Sequence, residues 1–346
     1  MRSFLPKQFC CLILKSALEC IMILDSRRQF LKRLPAAALC VAAPSLALFS
    51  LHGSAATAGF QIHDIDWFDD VRERAVPIRL YQPSEATTTT PVPLIIFSHG
   101  IGGSRLGYSY LGRYWASHGL ASLHVQHVGS DRSIWFGNPF NLVSRLQEAA
   151  QVKEVVNRVY DLRFALTRLL NDPLGQTLRS NQIIAAGHSY GANTTLLASG
   201  ARVSQDNIPV DLSDARITAA IIISAPRFFG QNAVNSILQP VSLPTLHITA
   251  TDDNIRIPGY FSGYPDRLDI FKAIGSKRKA LVVFEGGSHS MFTDRSLTGG
   301  AVLNQQVKEA TQELSLDFIA QVLNNQESGI PTWAIRHEAI LSKVIV

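Results

Sequence analysis

Beyond residue 58 this sequence contains no cysteine: all four, Cys10, Cys11, Cys20 and Cys40, lie upstream. Their absence from the body excludes a disulfide scaffold, a thiolate metal site and a cysteine nucleophile there. It also leaves the body compatible with an oxidising compartment. Surplus charge is missing too. The formal net charge is +5, but seven of the 32 Lys/Arg and two of the 27 Asp/Glu fall within residues 1–58, leaving 25 of each beyond. A neutral body gives no electrostatic support for binding a polyanion, so nucleic acid is not an expected partner. No internal repeat is present, which excludes solenoid and propeller architectures. An uninterrupted apolar run of spanning length is lacking as well. Leu34 to Leu51 is alanine-rich and broken by Pro35 and Pro44, so no stable membrane span is expected in the mature chain.

The basicity belongs to the leader. Ser26-Arg27-Arg28-Gln29-Phe30-Leu31-Lys32 resembles the twin-arginine export signal, the moderately apolar stretch follows it, and Ala56-Thr57-Ala58 supplies an A-x-A cleavage site. This order implies a removable signal over residues 1–58, delivered to the twin-arginine export machinery. The mature domain is then residues 59–346, residing in the periplasm or secreted. A short membrane anchor is the competing interpretation, and the two prolines and terminal small residues oppose it. Residues 1–21 hold apolar clusters upstream of the arginine pair, where a polar region is expected; a translation start at Met22 instead of Met1 would remove them.

In the body, short apolar runs alternate with helical patterns. Ile62–Trp67 and Ala75–Tyr81 alternate as strands and suggest an antiparallel pair at a sheet edge. Pro93–Ser98, Ala121–His127, Ile183–Ala186, Ile217–Ser224, Thr245–Thr251 and Ala280–Phe284 read as strands, the last of these closing the series. Helical spacing marks Tyr108–His118, a long stretch from Ser144 to Leu170, Ala192–Ser199, Pro265–Ile274 and Val302–Leu323. Such alternation predicts an α/β fold with a mostly parallel central sheet and helices on both faces. Gly129–Arg145, with Trp135, Phe136 and Phe140, is either a flap over a pocket or a surface loop. Ser204–Asp214 reads as an exposed excursion. The pattern assigns no role to residues 329–346.

The chemistry concentrates at Gly187-His188-Ser189-Tyr190-Gly191, a G-x-S-x-G segment between a predicted strand and a predicted helix. That context is a nucleophile elbow: the serine occupies a sharp turn, and the small residues on either side let strand and helix pass closely. A serine hydroxyl needs an imidazole to take its proton. Most body histidines, among them His63, His118, His124, His127 and His247, sit in strand or helix patterns and read as packed or surface residues. His188, adjacent to the serine, cannot turn back toward it and is expected to shape the elbow. His289, in a loop after the strand Ala280–Phe284, reaches the carboxyl edge of the sheet, where active sites of such sheets gather. The orienting carboxylate is expected between the two in sequence. Asp252 and Asp253 follow the strand ending at Thr251, and side-chain alternation lets only one face the histidine. Asp253 is preferred, with Asp252 as the alternative acid. Glycines in His99-Gly100-Ile101-Gly102-Gly103-Ser104 let a backbone N–H turn toward an oxyanion.

These segments, with Trp115-Ala116-Ser117-His118-Gly119 and Gly287-Ser288-His289-Ser290-Met291-Phe292, resemble the α/β-hydrolase superfamily. Within it the chain is similar to the dienelactone hydrolase-like and platelet-activating-factor acetylhydrolase-like serine esterases, and the likeness extends over most of residues 75–325. The resemblance implies oxyanion donors at the backbone N–H groups of Ile101 and Tyr190. It implies no cofactor and no metal. Animal acetylhydrolases carry their acid after the strand that follows the elbow helix, where this chain has Ser224-Ala225-Pro226. The T-G-T-x-D pattern of the bacterial dienelactone hydrolase-like branch matches Thr249-Ala250-Thr251-Asp252-Asp253 and favours Asp253. Ser189 departs from true dienelactone hydrolases, whose nucleophile is cysteine. The expected function is an exported serine hydrolase that cleaves small-molecule or lipid carboxylic esters through an acyl-enzyme. The alternatives are an acyltransferase or perhydrolase using the same acyl-serine, or an inactive binding protein on the same fold.

Overall fold

Alternation along each strand decides which side chains face which side of the sheet. The computed structural model describes residues 59–346 except 206, 207 and 232. The leader, with its arginine pair, cysteines and cleavage site, lies outside the described residues. The described residues begin with β1 (Phe60–Asp69) and β2 (Arg74–Pro83), an antiparallel pair in register from Phe60↔Pro83 to Asp69↔Arg74. There follow β3 (Val92–Ser98), α1 (Ser109–Ala116), β4 (Ala121–Val125), α2 (Leu142–Ala149), α3 (Val152–Leu170), β5 (Leu178–His188) and α4 (Tyr190–Ala198). A small hairpin of β6 (Arg202–Gln205) and β7 (Ile208–Asp211) precedes β8 (Ile217–Ile223), α5 (Val234–Leu238) and β9 (Thr245–Ala250). A second hairpin, β10 (Ile255–Ile257) and β11 (Tyr260–Ser262), leads into α6 (Tyr264–Ala273), β12 (Lys279–Phe284), α7 (Ala301–Asn324), α8 (Ile330–Arg336) and β13 (Leu341–Ile345).

The central sheet has the order β1-β2-β4-β3-β5-β8-β9-β12-β13. From β4 to β12 every neighbouring pair is parallel. β2 joins β4 antiparallel, and β13 joins β12 antiparallel, so β2 and β13 run against the interior while the outer strand β1, antiparallel to β2, runs with it. Because side chains alternate, each central strand feeds two cores. Leu94, Ile96, Ile183 and Ala185 pack on one face beneath α3 and α4. Ile95, Phe97, Ile184 and Ala186 pack on the other beneath α1, α7 and α8. Helices therefore cover both faces, as the alternating pattern predicts. No described helix is long and apolar enough to cross a membrane.

Three expectations are modified. β12 is not the last strand: β13 adds an antiparallel margin beyond it, and residues 329–346, given no role from the sequence, form α8 and that strand. Trp333 of α8 is fully buried, with its Nε1–H donating to Ala310 O at 3.0 Å. The single helix expected over Ser144–Leu170 is broken at Ala150-Gln151, where Gln151 turns to extended backbone before α3. Ser204–Asp214 is only partly an exposed excursion, since it carries β7 of a hairpin whose flanks, Val203 and Leu212, are buried.

Candidate active site

β5 runs into α4 through Ser189, whose backbone is strained at φ 57°, ψ −125°. Two glycines make this crossing possible. A Cβ on Gly187 would lie 2.3 Å from Gly191 O, and one on Gly191 would lie 1.9 Å from Ser98 O. Either contact is impossible without displacing backbone, which is why the turn needs glycine two residues before and two after the serine. The Ser189 N–H donates to Ile223 O at 2.8 Å and anchors the turn on the neighbouring strand.

Three side chains from separate strand ends meet here. The Ser189 hydroxyl donates to His289 Nε2 at 2.7 Å, and His289 Nδ1–H donates to Asp253 Oδ1 at 2.6 Å. His289 opens a short 3₁₀ turn, His289–Phe292, after β12; Asp253 follows β9. Asp252 is exposed and turned away, while Asp253 is fully buried. Asp253 also accepts from Thr249 Oγ1–H at 2.7 Å and from the Arg267 guanidinium at 3.3 Å. Burial alone would push its carboxyl up, but the His289 imidazole and the Arg267 guanidinium outweigh that and hold it well below the usual carboxylate range. Ser224, at the position where animal acetylhydrolases carry an acid, is buried with its hydroxyl unpaired among the described residues.

His188 does not approach the serine hydroxyl. Its Nε2–H donates to the backbone carbonyl of His289 at 3.0 Å, and its Nδ1 accepts from the Tyr108 hydroxyl at 2.8 Å. Tyr108 in turn accepts the Gly100 N–H at 3.3 Å. This relay ties the histidine loop to the glycine loop and requires a neutral His188. Burial, reinforced by the neighbouring His289, lowers the His188 imidazole well below its ordinary value.

The glycine loop lies against the serine: a Cβ on Gly100 would be 3.1 Å from Ser189 Cβ. Gly100 O accepts from His99 Nδ1–H at 2.7 Å and from Gly103 N–H at 3.0 Å. The N–H of Ile101 belongs to the same planar peptide and therefore points the opposite way. Gly102 N–H is consumed by Ser130 O at 2.9 Å. The N–H groups of Ile101 and Tyr190 have no acceptor among the described residues, and Tyr190 is the first residue of α4, where helix N–H groups are free.

A cavity of about 800 Å³ opens over these groups. Its walls include Trp135, Leu146, Pro226, Phe229, Ile257 and Tyr260. The Gly129–Arg145 segment contributes directly, since Trp135 Nε1–H donates to Gly102 O at 2.8 Å and lies over the glycine loop. Four arginines line the cavity: Arg132, Arg227, Arg256 and Arg295. Arg227 is paired with Asp266 and Asp269. Among the described residues Arg132, Arg256 and Arg295 form no ion pair. Among the described residues Asp294 is the one acidic residue lining the cavity, and it accepts the Ser109 and Tyr110 N–H groups at the start of α1. Among the described residues no three His, Cys, Asp or Glu side chains are grouped to hold a metal ion.

Sequence patterns did not single out Tyr108, Arg158 or Arg267. A signal existed for Arg158: with Asp161, it stands among the buried positions of α3, three residues after Val155 and four before Leu162. A charge at core spacing needs a partner elsewhere in the fold.

Residues 71–138 match the family model described as platelet-activating factor acetylhydrolase, isoform II. The platelet-activating factor acetylhydrolase of Cavia porcellus is 21% identical over 279 residues, covering 70% of this chain and 58% of that protein. The chain thus spans under two thirds of that relative's length. A ferulic acid esterase from Streptomyces cinnamoneus superposes with a TM-score of 0.58 at 19% identity, covering 80% of this chain and 93% of that one. A cold-adapted esterase from an Arctic intertidal metagenomic library superposes with a TM-score of 0.49 at 17% identity, covering 72% and 94%. The fold is the α/β-hydrolase fold.

Proposed function

We propose that this chain is a serine hydrolase that cleaves carboxylic esters through an acyl-enzyme. The observation that carries the proposal is the continuous relay from the Ser189 hydroxyl through His289 to Asp253, at 2.7 and 2.6 Å. Similarity to an acetylhydrolase and to esterases supports the same chemistry. Ser189 Oγ attacks the ester carbonyl as its proton passes to His289 Nε2, and Asp253 stabilises the imidazolium that results. The tetrahedral oxyanion takes hydrogen bonds from the Ile101 and Tyr190 N–H groups, each worth roughly 3–4 kcal/mol in the transition state. Collapse breaks the bond to the alcohol oxygen, which leaves with the proton held on His289. Water, deprotonated by His289, then attacks the acyl carbonyl and frees the acid and Ser189.

The cavity suggests the substrate class. Apolar walls accommodate an acyl or aryl group, and three arginines that have no counter-ion among the described residues favour an ester that also bears a carboxylate or phosphate. Hydrolysis of p-nitrophenyl butyrate and of the mono-p-nitrophenyl ester of succinate tests both points. Ser189→Ala is expected to reduce turnover of each to near background, and the wild type to show the higher kcat/KM for the succinate ester. Undiminished turnover in the serine variant would refute the nucleophile.

Export belongs to the same proposal: the leader directs the chain through the twin-arginine route to the periplasm or beyond. Replacing Arg27 and Arg28 by lysine is expected to retain the precursor in the cytoplasmic fraction; normal export of that variant would exclude the route.

A further inference from the structure

Behind the glycine loop and the elbow lies one fully buried guanidinium. Arg158, on α3, has no exposed surface. Its Nη2 donates to His99 O, its Nη1 to Ser130 Oγ at 2.9 Å and its Nε to Thr194 Oγ1 at 2.9 Å. Its Cζ stands 4.9 Å from the centroid of the Tyr190 ring. We propose that Arg158 is the positioning residue of the oxyanion site, a single cation that holds both donor-bearing turns in register and leaves its charge unpaired behind them. The proposal rests on the ester-hydrolase function given above.

Each contact bears on one donor. His99 O belongs to the peptide immediately before the one that carries the Ile101 N–H. Ser130, held through its hydroxyl, is the residue whose carbonyl takes the Gly102 N–H. Ile101 is therefore fixed from both sides by groups that end on Arg158. At the elbow, Thr194 Oγ1 donates to Tyr190 O at 3.2 Å while accepting from Arg158 Nε. The Tyr190 ring stacks on the guanidinium, so the donor residue is held through both its carbonyl and its side chain. A fork of planar donors is the chemistry this needs, because lysine offers a point charge and cannot reach all three acceptors.

The charge is unusual in its setting. Among the described residues no carboxylate lies within ion-pair distance of Arg158. The nearby Asp161 is taken by Arg72, Arg74 and His127, and Glu154 by Arg74 and Ser130. Burial pulls the guanidinium down to about 10, so it remains charged at neutral pH. A buried cation whose direct partners are neutral acceptors and a ring face, with Glu154 and Asp161 acting on it only at longer range, is costly for the resting fold. It interacts favourably with negative charge that develops on the far side of the two turns, in a setting where the field is weakly screened.

A structural role alone would alter folding or substrate binding; a role in holding the donors alters the transition state. Arg158→Lys and Arg158→Met are compared with wild type for p-nitrophenyl butyrate kinetics, thermal unfolding and inhibition by a trifluoromethyl ketone, which Ser189 captures as a hemiketal oxyanion. In folded variants kcat is expected to fall roughly 100-fold, the scale of one lost oxyanion donor. KM is expected to stay within about threefold, and ketone affinity to fall in step with kcat. Unchanged kcat and ketone affinity, or a change confined to KM, overturns the proposal. Should both Arg158 variants fail to fold, Ser130→Ala and Thr194→Val each delete one acceptor and are expected to give the same signature at about tenfold; no effect from either overturns it. Wild-type protein that neither turns over the ester nor reacts with a fluorophosphonate refutes the hydrolase function itself, and this proposal with it. Reactive wild type with unaffected variants refutes only the role of Arg158.

Discussion

Asp253 and Asp252 are adjacent in sequence and opposite in situation. One is fully buried between His289, Thr249 and Arg267; the other is exposed. Asp253→Asn is expected to lower kcat by about 10⁴, because an amide can neither hold the Nδ1–H tautomer nor stabilise the imidazolium. It also leaves Arg267 buried without its carboxylate, a loss of about 3–5 kcal/mol. Asp252→Asn is expected to change neither by more than about twofold, since surface substitutions away from such features stay near neutral. Steady-state kinetics and chemical denaturation of the two variants check this, and equal effects would dissolve the distinction. Ser189 and its flanking glycines were legible because a strand–turn–helix crossing is a local problem, solved within five residues. His289 and Asp253 were legible by order along the chain. Arg267 was not, because its importance arises only when α6 folds back onto the end of β9.

At the scale of elements, the six parallel strands were written in short apolar runs, and their two-faced burial follows from alternation. The carboxyl-terminal elements were not. Leu341-Ser342-Lys343-Val344-Ile345 has a weak pattern, and only the exposed margin of β12 makes it a strand. α8 is shorter than a stable isolated helix and depends on Trp333, which is buried against α7 and meets Phe284 edge-on at a centroid distance of 6.3 Å. Trp333→Ala is expected to cost about 3–5 kcal/mol, read as a lowered denaturation midpoint at unchanged slope. A midpoint within error of wild type would mean that residues 329–346 are dispensable.

For the molecule as a whole, buried histidines set the acid limit. Burial pulls His124 and His247 down to about 3 and lowers His99, His127 and His188 well below their ordinary value. All five stay neutral in the folded chain as pH falls past roughly 6.5, where an unfolded imidazole takes a proton. The unfolded state then binds more protons, so stability drops as pH falls below that point. The slope is on the order of 1 kcal/mol per pH unit for each histidine. Melting temperature is expected to be level above pH 7.5 and to decline steeply from 6.5 toward 5. A melting temperature that holds or rises over that interval would show that these imidazoles are not held neutral.

What the sequence determined by itself was local or periodic: the turn that only glycine permits around Ser189, the alternation that builds a two-faced sheet, and the order along the chain of the three side chains that meet at the site. Tertiary structure decided the supports. Arg158 reaches His99, Ser130 and Thr194 across three elements, Arg267 finds Asp253 from α6, and Tyr108 reaches His188 from the other side of the glycine loop. The physical reason is that a polar side chain on a buried face is satisfied only by partners distant along the chain. Spacing shows that such a group must have partners, and packing alone selects them.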